Sequence, residues 1–519
     1  MNNSKTRQWQ FPGRGAGTRF LIHLCAATVL AASASAAPKP NVLFIMADDL
    51  RAELATYGSP AHTPNLDRLA QRAVQFNHAY AQQAVCNPSR SSMLTGRRPD
   101  TLGLWCNSVH FRELQTNVTT LPLWFKEHGY TTRCVGKIFH NWHTKEKGDA
   151  RSWSAPEFLY YANHGDDKPE VQGELPPNLA TVPKAECRDV PDEAYYDGRV
   201  AAEAAHVLDA IKGQPFFLAV GFWKPHAPFN APKKYWDLYD RAKLPPLDPR
   251  RPEHAPDVAF HDSRELLGAP PNQLKLTPEQ AAEWRHGYFA NIAYMDAQLG
   301  KVLDALEYSG VADRTIITFV GDHGYHIGEH SLWGKTSNFE LDARVPLFIA
   351  VPGSKNGGRS TEALTEMLDL FPTLTELCRM PRPWGLEGVS LAPVLRDPLK
   401  SIKPAAFTQH PRPAYYDREP SKTPLVMGYS VRTPQVRYTE WRDWETGERV
   451  GRELYDAKND PAEMHNSLDD LRLVTPQRLA TELLWKQSPP IKHGTSLESP
   501  GSGRKSAPAR LRAPKDASL

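Results

Sequence analysis

Two pairs of candidate metal-binding side chains follow predicted strands in this sequence. Asp48-Asp49 comes directly after one apolar run, and Asp322-His323 comes after another such run far along the chain. Ligands in open α/β sheets bind outside the carboxyl ends of the strands, so we expect the two pairs to meet in one cleft. Three carboxylates in one cleft repel each other, and hard oxygen ligands favour calcium or magnesium as the cation that offsets them. The alternative for either pair alone is an ordinary helix-capping or turn residue.

A cysteine motif adds a candidate nucleophile. Cys86, Pro88 and Arg90 are followed by Leu94-Thr95-Gly96-Arg97, which makes seven fixed positions in twelve residues. A cysteine without that context is interpreted as a buried structural thiol, or as a thiolate nucleophile with a histidine partner. The complete motif instead resembles the signature of type I sulfatases, in which this cysteine is oxidised after translation to formylglycine.

The resemblance extends over nearly the whole chain beyond its N-terminal segment. The sequence is similar to sulfatases of the alkaline-phosphatase superfamily and, among them, to the iduronate-2-sulfatase branch. The similar blocks lie between residue 41 and about residue 465, at 48–51, 81–86, 95–100, 216–221, 224–226, 337–339 and 427–430.

The resemblance implies a metal ion and a modified cysteine. Calcium would be held by Asp48, Asp49, Asp322, His323 and formylglycine at position 86, after conversion of Cys86 by a formylglycine-generating maturation enzyme. A histidine at the fourth metal position is softer than the asparagine common in sulfatases, but the iduronate-type branch has it too. The hydrated aldehyde offers two hydroxyls on one carbon, so that one attacks sulfur and the other later expels sulfate. A sulfur adduct on unmodified cysteine lacks such an exit.

The resemblance also assigns roles to basic side chains. Arg90, Lys137 and Lys335 would spread positive charge over the sulfuryl oxygens. His226 would donate a proton to the departing sugar oxygen, with help from Lys335, and His140 would take a proton from the second hydroxyl. By residue type alone, each of the lysines and histidines would be a surface lysine or a hydrogen-bonded histidine.

The branch implies a sulfated glycan as substrate, namely 2-O-sulfated uronic acids at the ends of glycosaminoglycan chains. Arg412 is a candidate partner for the uronate carboxylate, and its alternative role is a structural salt bridge. Thr336 stands where the branch has tyrosine, and Tyr325 stands where it has tryptophan. Both changes would make an aromatic wall of the site smaller, so a different sulfated sugar stays open as the substrate. Two other functions also stay open: a phosphate or phosphonate ester hydrolase on the same fold, and a glycan-binding pseudoenzyme whose Cys86 is never matured.

The elements that position these residues are those of an α/β protein. Predicted strands lie at 41–47, 215–222, Thr315–Gly321 and 345–351, and predicted helices lie at 65–74, 121–128 and Pro278–Tyr308. Their alternation predicts a large, mainly parallel or mixed sheet sandwiched by helices. Short strands at 427–433, 436–441 and 453–456 predict a C-terminal α+β subdomain with an antiparallel sheet. Segments 144–195 and 230–277, rich in proline and charge, are interpreted as insertions of the kind that carry specificity.

The predicted boundaries divide the chain into four parts. They are a signal peptide at 1–37, a catalytic domain at 38–395, the C-terminal subdomain at 396–487 and a disordered tail at 488–519. The first segment has a basic start, a short apolar run and a small-residue stretch, which is typical of a secretory signal. The alternative is a membrane anchor, but the run is shorter than the ~20 residues that span a bilayer. We therefore expect export to a periplasm or the outside, without a stable membrane span.

Composition excludes several classes of protein. Lys and Arg total 62 against 59 Asp and Glu in 519 residues, so a polycationic nucleic-acid binder is not expected. The 46 prolines predict long, stiff, ordered loops. Six cysteines in a chain of this length exclude a disulfide scaffold, and the pairing of Cys106, Cys134, Cys187 and Cys378 stays open, with Cys134 expected as a buried free thiol.

Overall fold

A computed structural model describes residues 39–140, 144, 146–158 and 185–489, together with the isolated position 8. The predicted signal peptide lies outside these residues apart from position 8, as does the predicted tail apart from 488–489. Within the described part of the chain, no helix combines the length and the apolar character needed to cross a membrane.

The described chain contains sixteen strands and thirteen α-helices. The strands are β1 Asn41–Asp48, β2 Val74–Tyr80, β3 Thr131–Gly136, β4 Ala185–Arg188, β5 Phe216–Pro225, β6 Phe229–Pro232, β7 Thr315–Gly321, β8 His326–Ile327, β9 Trp333–Gly334, β10 Arg344–Ala350, β11 Arg359–Thr361, β12 Thr365–Glu366, β13 Ala406–Arg412, β14 Val426–Arg432, β15 Val436–Asp443 and β16 Arg449–Asp456. The helices are α1 Pro64–Ala70, α2 Cys86–Thr95, α3 Pro99–Leu102, α4 Phe111–Leu114, α5 Leu121–Glu127, α6 Tyr196–Ile211, α7 Lys233–Trp236, α8 Arg264–Leu267, α9 Pro278–Tyr308, α10 Glu340–Ala343, α11 Leu370–Leu377, α12 Ala392–Arg396 and α13 Val474–Gln487.

The main sheet is mixed and places β1 near its centre. Its strand order is β11-β2-β10-β7-β1-β5-β3, and β12 pairs with β2 beside β11. β1 runs parallel to both β5 and β7, whereas β10 is antiparallel to β7 and β2. The central strands are buried along their whole length, which explains why they are nearly continuous apolar runs in the sequence. The carboxyl ends of β1, β5 and β7 therefore lie side by side at one edge.

Helices cover both faces of this sheet, as the sequence predicts. On one face, α9 packs through Tyr288, Ile292 and Met295 against residues of β1, β5 and β7. On the other face, Met93 of α2 and Phe371 of α11 belong to a second apolar cluster. The predicted α/β class with a sandwiched mixed sheet is confirmed.

The helix predicted at 65–74 is wrong at its end. α1 stops at Ala70, and Val74 begins β2, whose polar Asn77 and His78 are only half-buried. Pairing with the distant β10 makes this segment a strand, and such long-range pairing leaves little local signal.

The C-terminal part carries the predicted antiparallel sheet. Its strands follow the order β13-β14-β15-β16, and α13 packs on it through Ala480 and Leu484. β13 was not predicted. It continues from the sheet into Arg412, one of the predicted site residues. The boundary at 395–396 stays a prediction.

Candidate active site

The two predicted acidic pairs meet at the carboxyl edge of the sheet. β1 and β7 are adjacent and parallel, so Asp48 at the end of one strand faces Asp322 after the other. The backbone N–H of Asp49 donates to Asp322 Oδ1 at 3.0 Å, and Asp49 itself adopts a left-handed conformation with φ of 59°. That turn directs neighbouring carboxylates into one buried cluster, in which Asp48, Asp49 and Asp322 have no exposed surface.

Cys86 enters the same cluster from the start of α2. The preceding Val85 is extended, so Cys86 is the first residue of the helix. Its Sγ lies 3.4 Å from Asp48 Oδ1, 3.4 Å from His323 Nε2 and 3.8 Å from Lys137 Nζ. Burial, reinforced by the Asp48 charge, raises the pKa of the Cys86 thiol well above its usual range. The thiolate nucleophile considered from the sequence is not tested by this arrangement.

The cluster fits a divalent cation. Four residues each offer a ligand atom within 4.8 Å of the others: Asp48, Cys86, Asp322 and His323. His323 Nδ1 lies 2.9 Å from Gly324 O, which assigns the proton to Nδ1 and directs the Nε2 lone pair toward Cys86. Asp49 Oδ2 is buried and has no hydrogen-bond partner among the described residues. Oxygen ligands, one imidazole and an unsatisfied buried oxygen are the surroundings that a cation requires.

Charge is distributed unevenly between the two adjacent aspartates. Burial opposes ionisation of Asp48, but Lys137 and Arg90 outweigh it and hold the pKa of that carboxyl well below its usual range. Burial raises the pKa of Asp49 well above its usual range, and Lys335 offsets this only in part. A cation bound beside Asp49 would supply the charge that keeps this carboxylate ionised.

Arg90 supports the acidic cluster from within α2. Its Nε donates to Asp322 Oδ2 at 2.8 Å and its Nη2 to Asp48 Oδ1 at 3.2 Å. Its Nη1 donates to the carbonyl oxygens of Lys137 and Ile138 at 2.7 and 3.0 Å. The guanidinium is fully buried, and every one of its nitrogens is engaged. These contacts give Arg90 a positioning role, and direct contact with sulfuryl oxygens, expected from the sequence, stays an untested prediction.

Lys137 and His140 follow β3 and approach the cluster from another side. Lys137 Nζ contacts Asp48 Oδ2 and lies 4.5 Å from the ring centre of Trp223. His140 is buried, and neither ring nitrogen has a hydrogen-bond partner among the described residues. Burial, followed by the charge of Lys137, lowers the pKa of His140 well below its usual range. The ring is therefore neutral in this arrangement.

His226 is held by a turn that follows β5. Asp197 of α6 accepts the backbone N–H groups of Trp223 and Lys224 at 2.8 and 3.0 Å. The buried Lys224 Nζ donates to Pro228 O at 2.7 Å and closes the turn around His226. His226 Nδ1 contacts the neighbouring carbonyl of residue 227, and its Nε2 lies 3.7 Å from Asp49 Oδ2.

Lys335 shares this side of the cluster with a residue that sequence reasoning missed. Lys335 Nζ lies 2.8 Å from Asp49 Oδ1 and 3.0 Å from Glu265 Oε1. Glu265, in α8, also lies 3.6 Å from His226 Nε2 and accepts a hydrogen bond from Tyr415 Oη. Glu265 belongs to the insertion at 230–277. The proline- and charge-rich composition of that segment indicates a role in specificity, but no local pattern distinguishes this glutamate from its neighbours.

Two further residues considered from the sequence lie beside the cluster. Tyr325 is fully buried and stacks on Tyr288, with ring centres 5.9 Å apart. Tyr288 Oη in turn donates to the carbonyl of Asp49 at 2.8 Å. Tyr325 therefore packs beneath the acidic cluster. Thr336 follows Lys335 directly and has a left-handed backbone conformation with φ of 91°.

Arg412 is not brought into the cluster. Its guanidinium donates to the carbonyl oxygens of Val258, Ala259 and Thr336 at 2.9, 2.7 and 2.9 Å, and lies 4.6 Å from the Trp441 ring centre. Burial lowers its pKa to about 10. The contacts are those of a structural arginine, with backbone carbonyls in place of the salt bridge considered from the sequence. A contact with a substrate carboxylate stays an untested prediction.

The five described cysteines are free thiols. Cys187 is exposed, whereas Cys86, Cys106, Cys134 and Cys378 are buried. None of the described cysteines therefore forms a disulfide, and Cys134 is a buried free thiol as expected.

The structure thus places a buried cluster that could hold a cation, together with a cysteine and basic side chains, at the carboxyl edge of a mixed α/β sheet. The model of the sulfatase family matches residues 40–380, and that of the N-sulphoglucosamine sulphohydrolase C-terminal region matches residues 328–487. The chain belongs to the sulfatase family and is a sulfuric ester hydrolase.

Known proteins support this assignment. The chain is 36% identical to the iduronate 2-sulfatase of Mus musculus over 513 residues, covering 84% of this chain and 92% of that protein. A solved 2-O GAG sulfatase superposes with a TM-score of 0.63 at 25% identity, covering 86% of this chain and 92% of that one. Phosphonate monoester hydrolase of Agrobacterium radiobacter superposes with a TM-score of 0.71 at 24% identity, covering 87% of this chain and 96% of that one, which bears on the fold alone. The sequence-based assignment to sulfatases near the iduronate-2-sulfatase branch is confirmed.

Proposed function

We propose that this sulfatase removes 2-O-sulfate from uronic acids of glycosaminoglycans, using formylglycine at position 86 and calcium. The observation that carries the proposal is the position of Cys86, whose Sγ lies 3.4 Å from both Asp48 Oδ1 and His323 Nε2. Similarity to an iduronate 2-sulfatase over 84% of the chain supports the choice of substrate, and so does the 2-O GAG sulfatase neighbour.

The acidic cluster is the proposed calcium site. Asp48, Asp49, Asp322 and His323 would hold the ion together with the modified residue 86. When bound, calcium supplies positive charge that polarises a sulfate oxygen and lowers the pKa of a neighbouring hydroxyl. Arg90 fixes two of the carboxylates by donating to Asp48 and Asp322.

Residue 86 supplies the nucleophile in its oxidised form. Hydrated formylglycine carries two hydroxyls on one carbon. One hydroxyl would attack the sulfur, and the other would later expel sulfate as the aldehyde re-forms. The thiol of unmodified Cys86 has no second hydroxyl, so a sulfur adduct formed on it would lack this exit.

Two lysines are the proposed ligands of the anionic sulfuryl group. The two lysines contact different carboxylates of the cluster: Lys137 contacts Asp48, and Lys335 contacts Asp49. Asp49 outweighs burial and raises the pKa of Lys335 well above its usual range, so this side chain is charged. Charged donors held in a water-poor site stabilise negative charge as it develops on the leaving group.

Two histidines divide the proton transfers. His226 Nε2 lies beside Asp49 and Glu265, at the side of the cluster that Lys335 also reaches, and is the proposed donor to the sugar oxygen. The neutral His140 is the proposed acceptor of the proton that leaves the second hydroxyl of residue 86. Glu265 and Tyr415 hold Lys335 and His226 in place.

Peptide mass spectrometry tests the central modification. The full chain, produced with and without a formylglycine-generating enzyme, should carry the aldehyde at position 86 only in the first case, with sulfate release in proportion. Cys134 is a matched control because it is another buried thiol, and it should stay unmodified. Full activity of protein with unmodified Cys86 would contradict the proposal. Turnover of 4-nitrophenyl phosphate above that of 4-nitrophenyl sulfate would favour the phosphate or phosphonate hydrolase instead.

We also propose that the protein is exported after removal of residues 1–37. Mass spectrometry of its mature N-terminus tests this, and an intact N-terminus on exported protein would contradict cleavage.

A further inference from the structure

A second group of side chains that could hold a metal ion lies at the surface: Glu253, His254 and His465. Glu253 and His254 belong to the insertion at 230–277, and His465 follows the last strand of the C-terminal sheet. His465 Nδ1 lies 3.2 Å from Glu253 Oε2, and the two histidine rings have centres 5.3 Å apart. One ligand atom from each of the three residues lies within 4.8 Å of the others.

The backbone fixes these side chains independently of any ion. Glu253 N–H donates to Met464 O at 2.8 Å, and Asn466 N–H donates to Glu253 O at 2.9 Å. The Asn466 side chain donates to His254 O at 3.0 Å and accepts from Leu454 N–H at 2.9 Å. The two segments are therefore clamped on both sides of the three side chains, which reduces the ordering that a ligand would have to impose.

The donor set and spacing suit a zinc-class ion. Zinc binds imidazole nitrogen and carboxylate oxygen at about 2.0–2.2 Å, so neighbouring ligands of a tetrahedral site stand about 3.3 Å apart. The 3.2 Å separation of His465 Nδ1 and Glu253 Oε2, a hydrogen bond without an ion, is also close to this edge. Two imidazoles with one carboxylate favour zinc and its transition-metal neighbours, whereas calcium takes six to eight oxygens.

We propose that Glu253, His254 and His465 form a binding site for a divalent transition metal of the zinc class, with water completing the coordination. The ion would tie the insertion to the C-terminal sheet. The same insertion carries Glu265, which contacts Lys335 and His226, so the ion would stabilise one wall of the active site without taking part in the reaction. This inference is independent of the substrate proposed above.

Calorimetric titration of the calcium-loaded full chain with zinc tests the site. The wild type should bind one zinc ion, and His465→Ala and His254→Ala should each weaken binding on the order of 100-fold, because each removes one of three ligands. Sulfate release by His465→Ala in calcium alone should equal that of the wild type.

A matched control is the exposed pair of His206 and Glu203 on α6. His206 Nδ1 lies 3.7 Å from Glu203 Oε2, but this pair is not part of a three-ligand group among the described residues. His206→Ala should leave zinc affinity unchanged, and zinc should raise the unfolding temperature of this variant but not that of His465→Ala. Failure of the calcium-loaded wild type to bind zinc, or zinc affinity in both ligand variants equal to that of the wild type, would overturn the proposal.

Discussion

Replacing Arg90 with methionine separates support of the acidic cluster from direct contact with substrate. The guanidinium is fully buried and donates to Asp48, Asp322 and two backbone carbonyls. Removing one partner of a buried ion pair costs about 3–5 kcal/mol, since the remaining charge has lost its compensation. We therefore expect the free energy of unfolding of Arg90→Met to fall by about 4 kcal/mol in the absence of calcium.

Calcium should reduce this loss, because the ion supplies positive charge to the same two carboxylates. Turnover should fall on the order of 10²–10³-fold even with calcium, since Asp48 and residue 86 lose their fixed positions. Urea unfolding with and without calcium, followed by fluorescence, measures the first effect, and sulfate release measures the second.

Arg437→Met is the matched control. Arg437 is buried in β15 and also bridges two carboxylates, with Nε 2.7 Å from Glu463 Oε1 and Nη2 in contact with Glu340. The free energy of unfolding of Arg437→Met should fall by a similar amount with and without calcium. Its turnover should stay close to that of the wild type. The reasoning would be refuted if Arg90→Met unfolded like the wild type without calcium and released sulfate at a similar rate.

Two more predictions concern proton transfer and acid stability. His226→Ala should slow hydrolysis of a sugar sulfate on the order of 10²–10⁴-fold but that of 4-nitrophenyl sulfate far less, because nitrophenolate leaves without a proton; equal losses in steady-state kinetics would remove His226 as the donor. Although burial opposes its ionisation, Arg98 and Lys403 lower the pKa of Glu366 from 4.5 to about 2. A carboxyl with a depressed folded-state pKa stabilises the fold above its unfolded pKa and loses this effect as pH falls. Glu366→Gln should therefore be less stable at pH 7 and lose less stability between pH 4.5 and about 2, as measured by urea unfolding; an unchanged pH profile would contradict this account.

The sequence predicts the site best where residues stand at the ends of buried strands. Asp48 and Asp322 are adjacent because β1 and β7 are parallel neighbours, and nearly continuous apolar runs mark such strands. The motif around Cys86 likewise indicates its place at the acidic cluster, where its Sγ lies 3.4 Å from both Asp48 Oδ1 and His323 Nε2.

Contacts made across long distances in sequence were beyond prediction. The role of Arg90 depends on its position between Asp48 and Asp322, and that of Arg412 on carbonyls 76 to 154 positions away. Glu265 reaches Lys335 and His226 from an insertion without periodicity. The antiparallel pairing of β2 with β10 escaped for the same reason, since neither residue type nor local pattern specifies which distant strand is the partner.

Sulfate release from defined sulfated disaccharides, quantified by ion chromatography, tests the proposed function most directly. Protein with formylglycine at position 86 and bound calcium should release sulfate preferentially from disaccharides that carry a terminal 2-O-sulfated uronic acid, and Cys86→Ala should release none. Preference for 6-O- or N-sulfated glucosamine, or undiminished release by Cys86→Ala, would contradict the account.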